Sequence, residues 1–375
     1  MKILFVWTGV TSYMADCWRK LQQLPDVELK VIIEPVTSGK EFNAAQVLHG
    51  LDYQLVSSKD KVKDKGEGER RRVNFCSYDT KKEDNVHRSP SPLAFTFSRP
   101  DIIFAVGWHS KVVREIVTRK EWRDVPKVCC FDLPWRWQFR CIAAKFVLRP
   151  FLRRYSAAYV PGQACERYAK WLGFRKIYKG LFSIDAGRFE VEVEVRGGRR
   201  TNFLYVGRMA PEKRVDLIER AYARYRELGG TWTIDYYGGK NFRGPEEMPR
   251  IYAEHACLVL ASAFDPWPLV ALEAKAAGCE VIQSDRCGNR FELDTRVVPF
   301  GDVEALARMM VKVENEVEVR GGGGRRTDKV LVSADAGKER KSNFHCPPPP
   351  STSTLNNYDC STWAKRTLEI AKELT

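Results

Sequence analysis

The chain has 375 residues, which is too long for one ordinary hydrophobic core and suits two domains of about 100–200 residues each. Its formal net charge of +14 favours anionic partners such as nucleotides, phospholipid surfaces or nucleic acids, and no apolar run approaches the roughly 20 residues that a membrane-spanning helix needs. The eleven cysteines include no Cys-x-x-Cys pair, so the sequence indicates neither a metal site nor a disulfide framework, and we expect reduced thiols in the cytosol.

The first half of the chain predicts a parallel sheet with helices between its strands. A strand at residues 2–7 leads through a glycine turn into a helix at 13–24, and a second strand follows at 28–33. Two further buried strands are expected at 100–106 and 127–131, with a helix at 111–119 between them. We therefore assign residues 1–190 to one Rossmann-like domain. The apolar run at the N-terminus reads as its first strand and not as a secretory signal.

The second half repeats this pattern. Residues 203–206 predict a strand, residues 214–228 an amphipathic helix that ends at a glycine pair, and residues 231–237 another strand. Further strands at 258–261 and 280–283 surround a helix that closes at Gly278, and a last helix is expected at 303–312. Residues 202–313 therefore predict a second α/β domain.

Three segments lack the pattern of a buried core. Residues 59–92 are charged and turn-rich, and the Arg/Gly-rich segment 196–201 recurs in longer form at 320–327. Residues 314–357 cannot bury enough apolar surface to offset chain entropy, so we expect a disordered tract there. We interpret all three as insertions or linkers without a catalytic role. Residues 358–375 predict a C-terminal helix capped by Ser361 or Thr362.

Two cations mark a candidate anion site in the second domain. Arg208 and Lys213 lie between a strand end and a helix start, where free backbone N–H groups already favour an anion. An arginine can bind phosphate oxygens through two parallel hydrogen bonds, and a lysine adds a compact charge, so the pair suits a diphosphate. The alternative is a pair of solvated charges in a loop.

Two carboxylates, Asp265 and Glu273, lie eight residues apart at the opening of an apolar helix. A carboxylate can accept hydrogen bonds from two vicinal hydroxyls at once, so Glu273 suits a ligand that carries such a pair. An exposed helical glutamate is the alternative. Asp265 followed by Pro266 is also a good helix N-cap, with proline at the first helical position.

Together these motifs resemble the donor-binding half of the family-4 (group 1) retaining glycosyltransferases, which have the GT-B fold. The resemblance covers about two-thirds of the chain and is most specific over residues 203–292. It implies an α/β protein of two Rossmann-like, doubly wound parallel-sheet domains facing a cleft. The implied activity is transfer of a hexose from a nucleotide diphosphate sugar to a glycan or lipid-linked acceptor, with retention of configuration, in polysaccharide biosynthesis. A catalytically inactive binding protein of the same fold is the alternative.

The resemblance also assigns roles to single residues. Arg208 and Lys213 would hold the donor diphosphate and neutralise the leaving group, so that no metal is expected. Asp265 stands where the family's first glutamate contacts the transferred sugar, and Glu273 where the second binds the donor ribose. The other implied donor-binding positions are Trp267, Leu269 and Gly288. For Gly288, close approach of a ligand and a turn without ligand contact both remain open.

The sequence departs from the family at several positions. Pro268 replaces a glycine whose amide approaches the donor phosphates, and proline has no N–H to offer. The span 238–255 is short where relatives usually carry an additional strand and loop near the nucleotide base. Base specificity is therefore not carried over.

In the first domain, polar and small residues after the strands resemble the family's acceptor side of the cleft. Gly9 and Thr11 follow the first strand, and Asp132 stands where many relatives read histidine-aspartate. Phe131 replaces that histidine. His109 is a candidate substitute, with a merely exposed loop histidine as the alternative.

Residues 133–155 contain many cations and aromatic side chains but no acidic residue. Such a face suits an anionic membrane surface or a phosphate-bearing lipid acceptor; a solvated helix face is the alternative. The basic residues fall in no recognisable nucleic-acid module, so no nucleic acid partner is expected. We expect a cytoplasmic location, with peripheral contact at the inner face of a membrane left open.

Overall fold

The computed structural model describes residues 1–9, 11–35, 44–57, 76–78, 99–136, 138–191, 200–321 and 353–375. Most of the predicted insertion at 59–92, most of the repeat at 196–201 and residues 322–352 lie outside these ranges, as do Trp137 and the side chain of Arg140. The chain folds as two compact units. Unit 1 comprises Met1–Arg188 and Leu355–Thr375, and unit 2 comprises Phe189–Thr354.

In its described residues unit 1 has eight strands, which are β1 (Lys2–Thr8), β2 (Glu28–Glu34), β3 (Tyr53–Ser57), β4 (Cys76–Tyr78), β5 (Ile102–Val106), β6 (Lys127–Cys130), β7 (Ala157–Val160) and β8 (Ile177–Lys179). They form one sheet in the order β4-β3-β2-β1-β5-β6-β7-β8, and every pairing is parallel except β3 with β4. β1 is central and its apolar run is fully buried, as expected for a parallel strand covered on both faces. The strand order reverses between β1 and β5.

Six helices connect these strands, namely α1 (Ser12–Gln22), α2 (Ala44–Val47), α3 (Lys111–Thr118), α4 (Phe139–Val147), α5 (Arg149–Leu152) and α6 (Gln163–Leu172). α3 begins where Ser110 accepts a hydrogen bond from the Val113 amide at 3.1 Å, which satisfies one of the unpaired donors of the first turn. Its apolar residues, among them Val112 and Ile116, face the core of unit 1.

Unit 2 contains the strands β9 (Phe203–Val206), β10 (Ile234–Tyr237), β11 (Cys257–Leu260), β12 (Glu280–Ser284) and β13 (Arg296–Val298). They form an all-parallel sheet in the order β10-β9-β11-β12-β13, so the order reverses between β9 and β11. The helices of this unit are α7 (Val215–Glu227), α8 (Met248–Glu254), α9 (Leu269–Ala276) and α10 (Val303–Gly321).

α10 is longer than predicted, and it enters the tract for which disorder was expected. Glu314 lies inside this helix and is buried. Its carboxylate accepts hydrogen bonds from the Tyr225 hydroxyl at 2.6 Å and from the Thr231 amide at 3.0 Å. Residues 314–321 are therefore helical, and the expectation of disorder was wrong for them.

The chain returns to unit 1 through α11 (Ser353–Asn356) and α12 (Cys360–Leu374). The expectation of disorder was wrong for residues 353–356 as well. The N-cap of α12 is Asp359, whose side chain accepts from the Ser361 amide at 2.7 Å, so the predicted caps Ser361 and Thr362 were wrong. α12 packs on α1, and its Trp363 is fully buried with its ring 5.8 Å from that of Phe5. Within the described ranges, no helix is both long and apolar enough to cross a membrane.

Candidate functional site

The candidate site of unit 2 lies at the carboxyl ends of β9, β11 and β12. In an open α/β sheet, ligands bind outside these strand ends, at the point where the strand order reverses. That point lies here between β9 and β11. The loop 207–214 follows β9, and the segment 261–268 follows β11.

The loop after β9 is held by contacts to its own strand and to the neighbouring segment. The Tyr205 hydroxyl donates to the Arg208 carbonyl at 2.8 Å, and the Ala263 amide donates to the Glu212 carbonyl at 2.8 Å. A Cβ at Gly207 would lie 2.8 Å from the Tyr205 hydroxyl, so a larger residue at this turn would have to displace that hydroxyl. The path of the loop is therefore held by one side-chain and one backbone hydrogen bond.

Lys213 and Asp265 meet at this point. The Lys213 Nζ lies 2.5 Å from the Asp265 Oδ2, and the two side chains are 19% and 9% exposed. Arg208 differs, because its side chain is 76% exposed and its Nη2 lies 2.7 Å from the Oε1 of Glu212, itself 38% exposed. The site thus holds one fixed, largely buried cation and one cation that faces water.

The backbone around Asp265 is tied to the turn after β12. The Gly288 amide donates to the Asp265 carbonyl at 2.8 Å, and a Cβ at Gly288 would lie only 1.7 Å from the Pro266 carbonyl oxygen. Gly288 is buried. Its missing side chain therefore permits two backbone segments to pack closely.

α9 begins at Leu269, and its N-cap is Pro268. The interpretation of Asp265 as the N-cap of this helix was therefore wrong. The Pro268 carbonyl accepts from the Asn289 Nδ2 at 3.0 Å and from the Ala271 amide at 3.1 Å. Trp267 is buried beside the start of the helix, and Leu269 is half-buried.

Glu273 lies within α9 and contacts a residue that the sequence did not reveal. The Tyr252 hydroxyl, on α8, donates to the Glu273 Oε2 at 2.7 Å. Burial, together with the Glu273 charge, raises the pKa of Tyr252 well above its ordinary value, so this hydroxyl remains a donor at neutral pH. No motif links the two residues, because they lie 21 positions apart on separate helices.

The candidate residues of unit 1 also follow strand ends. Gly9 comes after β1 with φ 74°, and its amide donates to the Glu34 carbonyl at 2.9 Å. Thr11 is the N-cap of α1, without a side-chain capping bond. His109 is exposed after β5, and its ring centre is 5.7 Å from that of Trp108.

Asp132 follows β6 and is half-buried. Burial and, to a smaller extent, the nearby negative charge of the Asp132 carboxylate raise the pKa of Tyr13 to about 12. Phe131, in contrast, is part of the core, with its ring 5.4 Å from Trp108 and 6.2 Å from Tyr168. The position at which the family resemblance led us to expect a histidine is thus used for packing.

Among the residues that the structure describes, no group of three or more His, Cys, Asp or Glu side chains is arranged to hold a metal ion. The charged groups that follow β9 and β11 include those of Arg208, Glu212, Lys213 and Asp265. The cations can bind phosphate groups of a ligand, and the carboxylates can accept hydrogen bonds from its hydroxyl groups.

Comparisons with known proteins identify a family match for part of the chain and structures with the same fold. Residues 200–316 match the family of group 1 glycosyl transferases. The chain is similar to the structure of HepE from Anabaena in complex with UDP and glucose, at 12% identity over 100% of both chains with a TM-score of 0.59. A search of curated proteins finds no match.

Two further structures share the fold. The lipopolysaccharide outer core galactosyltransferase WaaB in its apo form is 14% identical over 98% of both chains, with a TM-score of 0.59. The pneumococcal O-GlcNAc transferase GtfA in complex with UDP and GlcNAc is 12% identical over 100% of this chain and 99% of that one, with a TM-score of 0.57. At such identities the likeness establishes the fold, which is the GT-B type with two parallel-sheet α/β domains. The fold class predicted from the sequence is confirmed.

Proposed function

We propose that this protein is a glycosyltransferase that moves a hexose from a nucleotide diphosphate sugar to a glycan or lipid-linked acceptor, with retention of configuration. The observation that carries the proposal is the Lys213–Asp265 pair at the strand-order reversal of unit 2. It lies inside the region that matches group 1 glycosyl transferases. Two of the similar structures contain UDP together with a sugar, which supports a nucleotide sugar as donor.

In this proposal Lys213 and Arg208 bind the donor diphosphate. When the bond between the sugar C1 and the diphosphate oxygen breaks, negative charge develops on the leaving group. A cation that is already fixed in a largely dry site stabilises that charge without reorganisation. Lys213 meets this description, and Arg208 can close over the phosphates from the solvent side because its side chain is mostly exposed.

Asp265 and Glu273 supply acceptors for hydroxyl groups. The Asp265 Oδ2 is engaged by Lys213, whereas Oδ1 forms no hydrogen bond within the described part of the chain and can accept from the transferred sugar. Tyr252 fixes the Glu273 carboxylate through one oxygen. A carboxylate has about four acceptor positions, so the same group can also accept from ribose hydroxyls.

We place the reaction in the cytoplasm and assign it to polysaccharide biosynthesis. Nine cysteines among the described residues are free thiols, which agrees with a reducing compartment. On the acceptor side, Gly9, Thr11, His109 and Asp132 follow the strand ends of unit 1, where polar groups can meet an acceptor hydroxyl.

A catalytically inactive binding protein is the second candidate, and two observations favour it. Phe131 is buried in the core, so unit 1 offers no imidazole at that position. Pro268 offers no N–H at the start of α9. Such a protein would bind a nucleoside diphosphate without turning over any sugar donor.

The test combines binding with turnover. Calorimetric titration with a panel of nucleoside diphosphates measures the affinity of the site. Incubation with radiolabelled nucleotide sugars measures donor hydrolysis without an acceptor, and transfer when a glycan or lipid-linked acceptor is present. Transfer, with the product anomer read by NMR, supports the enzyme. Tight nucleotide binding without turnover of any donor supports the inactive candidate.

Variants then test the site itself. We expect Lys213→Ala and Arg208→Ala each to lower transfer by on the order of 100-fold, the size of effect seen when a well-placed charge-stabilising group is removed. Arg220→Ala, an exposed cation on α7, is the matched control and should leave transfer unchanged. Because Arg208 is exposed, its variant should fold normally; wild-type rates in both variants would refute the assignment.

A further inference from the structure

The segment formed by α4 and α5 leaves apolar side chains on the surface of unit 1. Phe139, Phe146 and Val147 are 83%, 67% and 75% exposed. Positions seven and eight residues apart return to the same side of a helix, so the three form one continuous apolar strip. The opposite side of α4 is already used, because Cys141 and Ala144 pack against the core.

A cavity of about 470 Å³ is lined in part by residues of α4 and α5, and its lining contains cations without any carboxylate. The cations of this cationic cavity are Lys145, Arg149, Arg153 and Arg175. Within the described residues none of them forms an ion pair with an acidic side chain, and the Lys145 Nζ lies 4.5 Å from the centre of the Trp171 ring. Like charges around one cavity repel each other unless a counter-charge enters, so the cavity favours an anion.

The apolar strip lies on α4, which also carries Lys145 of the cationic cavity, and Arg149 begins the next helix, α5. A ligand that docks on this segment therefore has to satisfy the chemistry of both features. A free phosphate ion would neutralise the cavity but leave the strip in water. A nucleic acid would also neutralise the cavity, but it would leave Val147 in water because this side chain offers no ring for base stacking. An anionic bilayer satisfies both, since lipid phosphates meet the cations and the boundary of the acyl chains covers the apolar side chains.

We propose that α4 and α5 dock unit 1 on an anionic phospholipid surface, with the apolar strip at the acyl-chain boundary and lipid phosphates in the cationic cavity. Docking of this kind requires no membrane-spanning helix. Asp132, a candidate acceptor residue, precedes α4 in the chain, so docking would hold the loop after β6 near the membrane. The proposal does not rest on glycosyl transfer, because it concerns binding alone.

The first experiment measures binding of the full chain to vesicles by co-sedimentation. We expect binding to vesicles that contain phosphatidylglycerol and little binding to phosphatidylcholine alone, with loss at high salt because exposed charges are then screened. The triple variant Arg149→Gln, Arg153→Gln and Arg175→Gln should bind on the order of 100-fold more weakly, since each cation near an anionic surface contributes roughly fivefold. A control triple variant removes the same charge elsewhere, at Lys120, Arg220 and Arg226, and should bind nearly as the wild type does.

The second experiment separates insertion from charge attraction. Phe139→Ser and Phe146→Ser should each weaken vesicle binding by about tenfold, because each ring loses burial in the lipid boundary. Both rings are exposed in the free protein, so melting temperatures should not fall. Phe242→Ser alters an exposed phenylalanine of unit 2 and is the matched control.

Three outcomes would overturn the proposal. Equal binding of the arginine variant and its charge-matched control would show non-specific attraction by net charge. Unchanged binding of both phenylalanine variants would show that nothing is inserted. Binding of inorganic phosphate or single-stranded RNA in the cationic cavity, without any binding to anionic vesicles, would assign the cavity to another ligand.

Discussion

Replacing Asp265 with asparagine tests whether Lys213 is a phosphate ligand. The change keeps the size of the side chain and removes its charge. With side-chain exposures of 19% and 9%, Lys213 and Asp265 behave as a buried pair, for which loss of one partner costs about 3–5 kcal/mol. Asparagine can still accept from the Lys213 Nζ, so we expect the low end, about 3 kcal/mol. At about 2–4 °C per kcal/mol, the melting temperature should fall by about 6–12 °C.

Nucleotide affinity should change in the opposite direction. In the wild type the donor diphosphate competes with the charged Asp265 for the Lys213 ammonium, and in the variant it competes only with a neutral amide oxygen, which is a weaker acceptor. We expect nucleoside diphosphate to bind about tenfold more tightly, in line with the 1.5–3 kcal/mol of a hydrogen bond to a charged group. A saturating nucleoside diphosphate should therefore restore much of the lost melting temperature. Transfer should still fall, because the sugar loses a carboxylate contact.

Thermal melts with and without nucleoside diphosphate, calorimetry and transfer assays measure these three effects. Glu212→Gln is the matched control, because its partner Arg208 is 76% exposed and such surface pairs contribute about 0–1 kcal/mol. Its melting temperature should barely move. If nucleotide affinity of the Asp265→Asn variant fell together with its stability, the pair would only shape the loop, and Lys213 would not be a phosphate ligand.

Three further substitutions test neighbouring contacts. Tyr252→Phe removes the hydrogen bond to Glu273 and should raise the KM for the nucleotide sugar about 5–10-fold with kcat nearly unchanged; a fall in kcat alone would contradict a role in ribose binding. Pro268→Gly supplies an N–H at the start of α9 and should tighten nucleoside diphosphate binding by about 1.5–3 kcal/mol in calorimetry. Unchanged affinity would mean that the donor phosphates do not approach this amide. Glu314→Gln weakens the buried contact to Tyr225 and should lower the free energy of unfolding by about 1.5–3 kcal/mol in urea titrations. An unchanged free energy would show that this end of α10 does not stabilise the core.

Elements with strong local patterns were predictable from the sequence. β9 has the predicted bounds, and β1 differs by one residue, because uninterrupted apolar runs between turns mark buried strands. β7 and β8 were not predicted. β8 has three residues and none of them is buried, so it carries almost no periodic signal.

The end of α10 illustrates a limit of composition as a guide. Residues after 313 resemble a low-complexity repeat, and Glu314 is a charged residue that usually lies in water. Its burial depends on Tyr225 and Thr231, which are more than 80 positions away in sequence. Only the packing of α10 on α7 reveals it.

The candidate site, too, was predictable from the sequence only in part. The types and spacing of Arg208, Lys213, Asp265 and Glu273 were sufficient to suggest a nucleotide sugar site. The contact between Lys213 and Asp265 depends on β9 and β11 being neighbours in the sheet, although β10 lies between them in sequence. Strand order of this kind is a property of the whole domain, and no local pattern encodes it.

The return of α12 to unit 1 has a consequence for the order in which the protein is made. A ribosome completes residues 1–188 first, then all of unit 2, and only afterwards the helix that covers α1. At about 5–20 residues per second, the face of unit 1 that receives Trp363 stays open for on the order of 10–30 s. Unit 2 is continuous and can fold during that interval. The nascent chain therefore carries a temporary apolar surface suited to a chaperone, and this surface disappears when α12 docks.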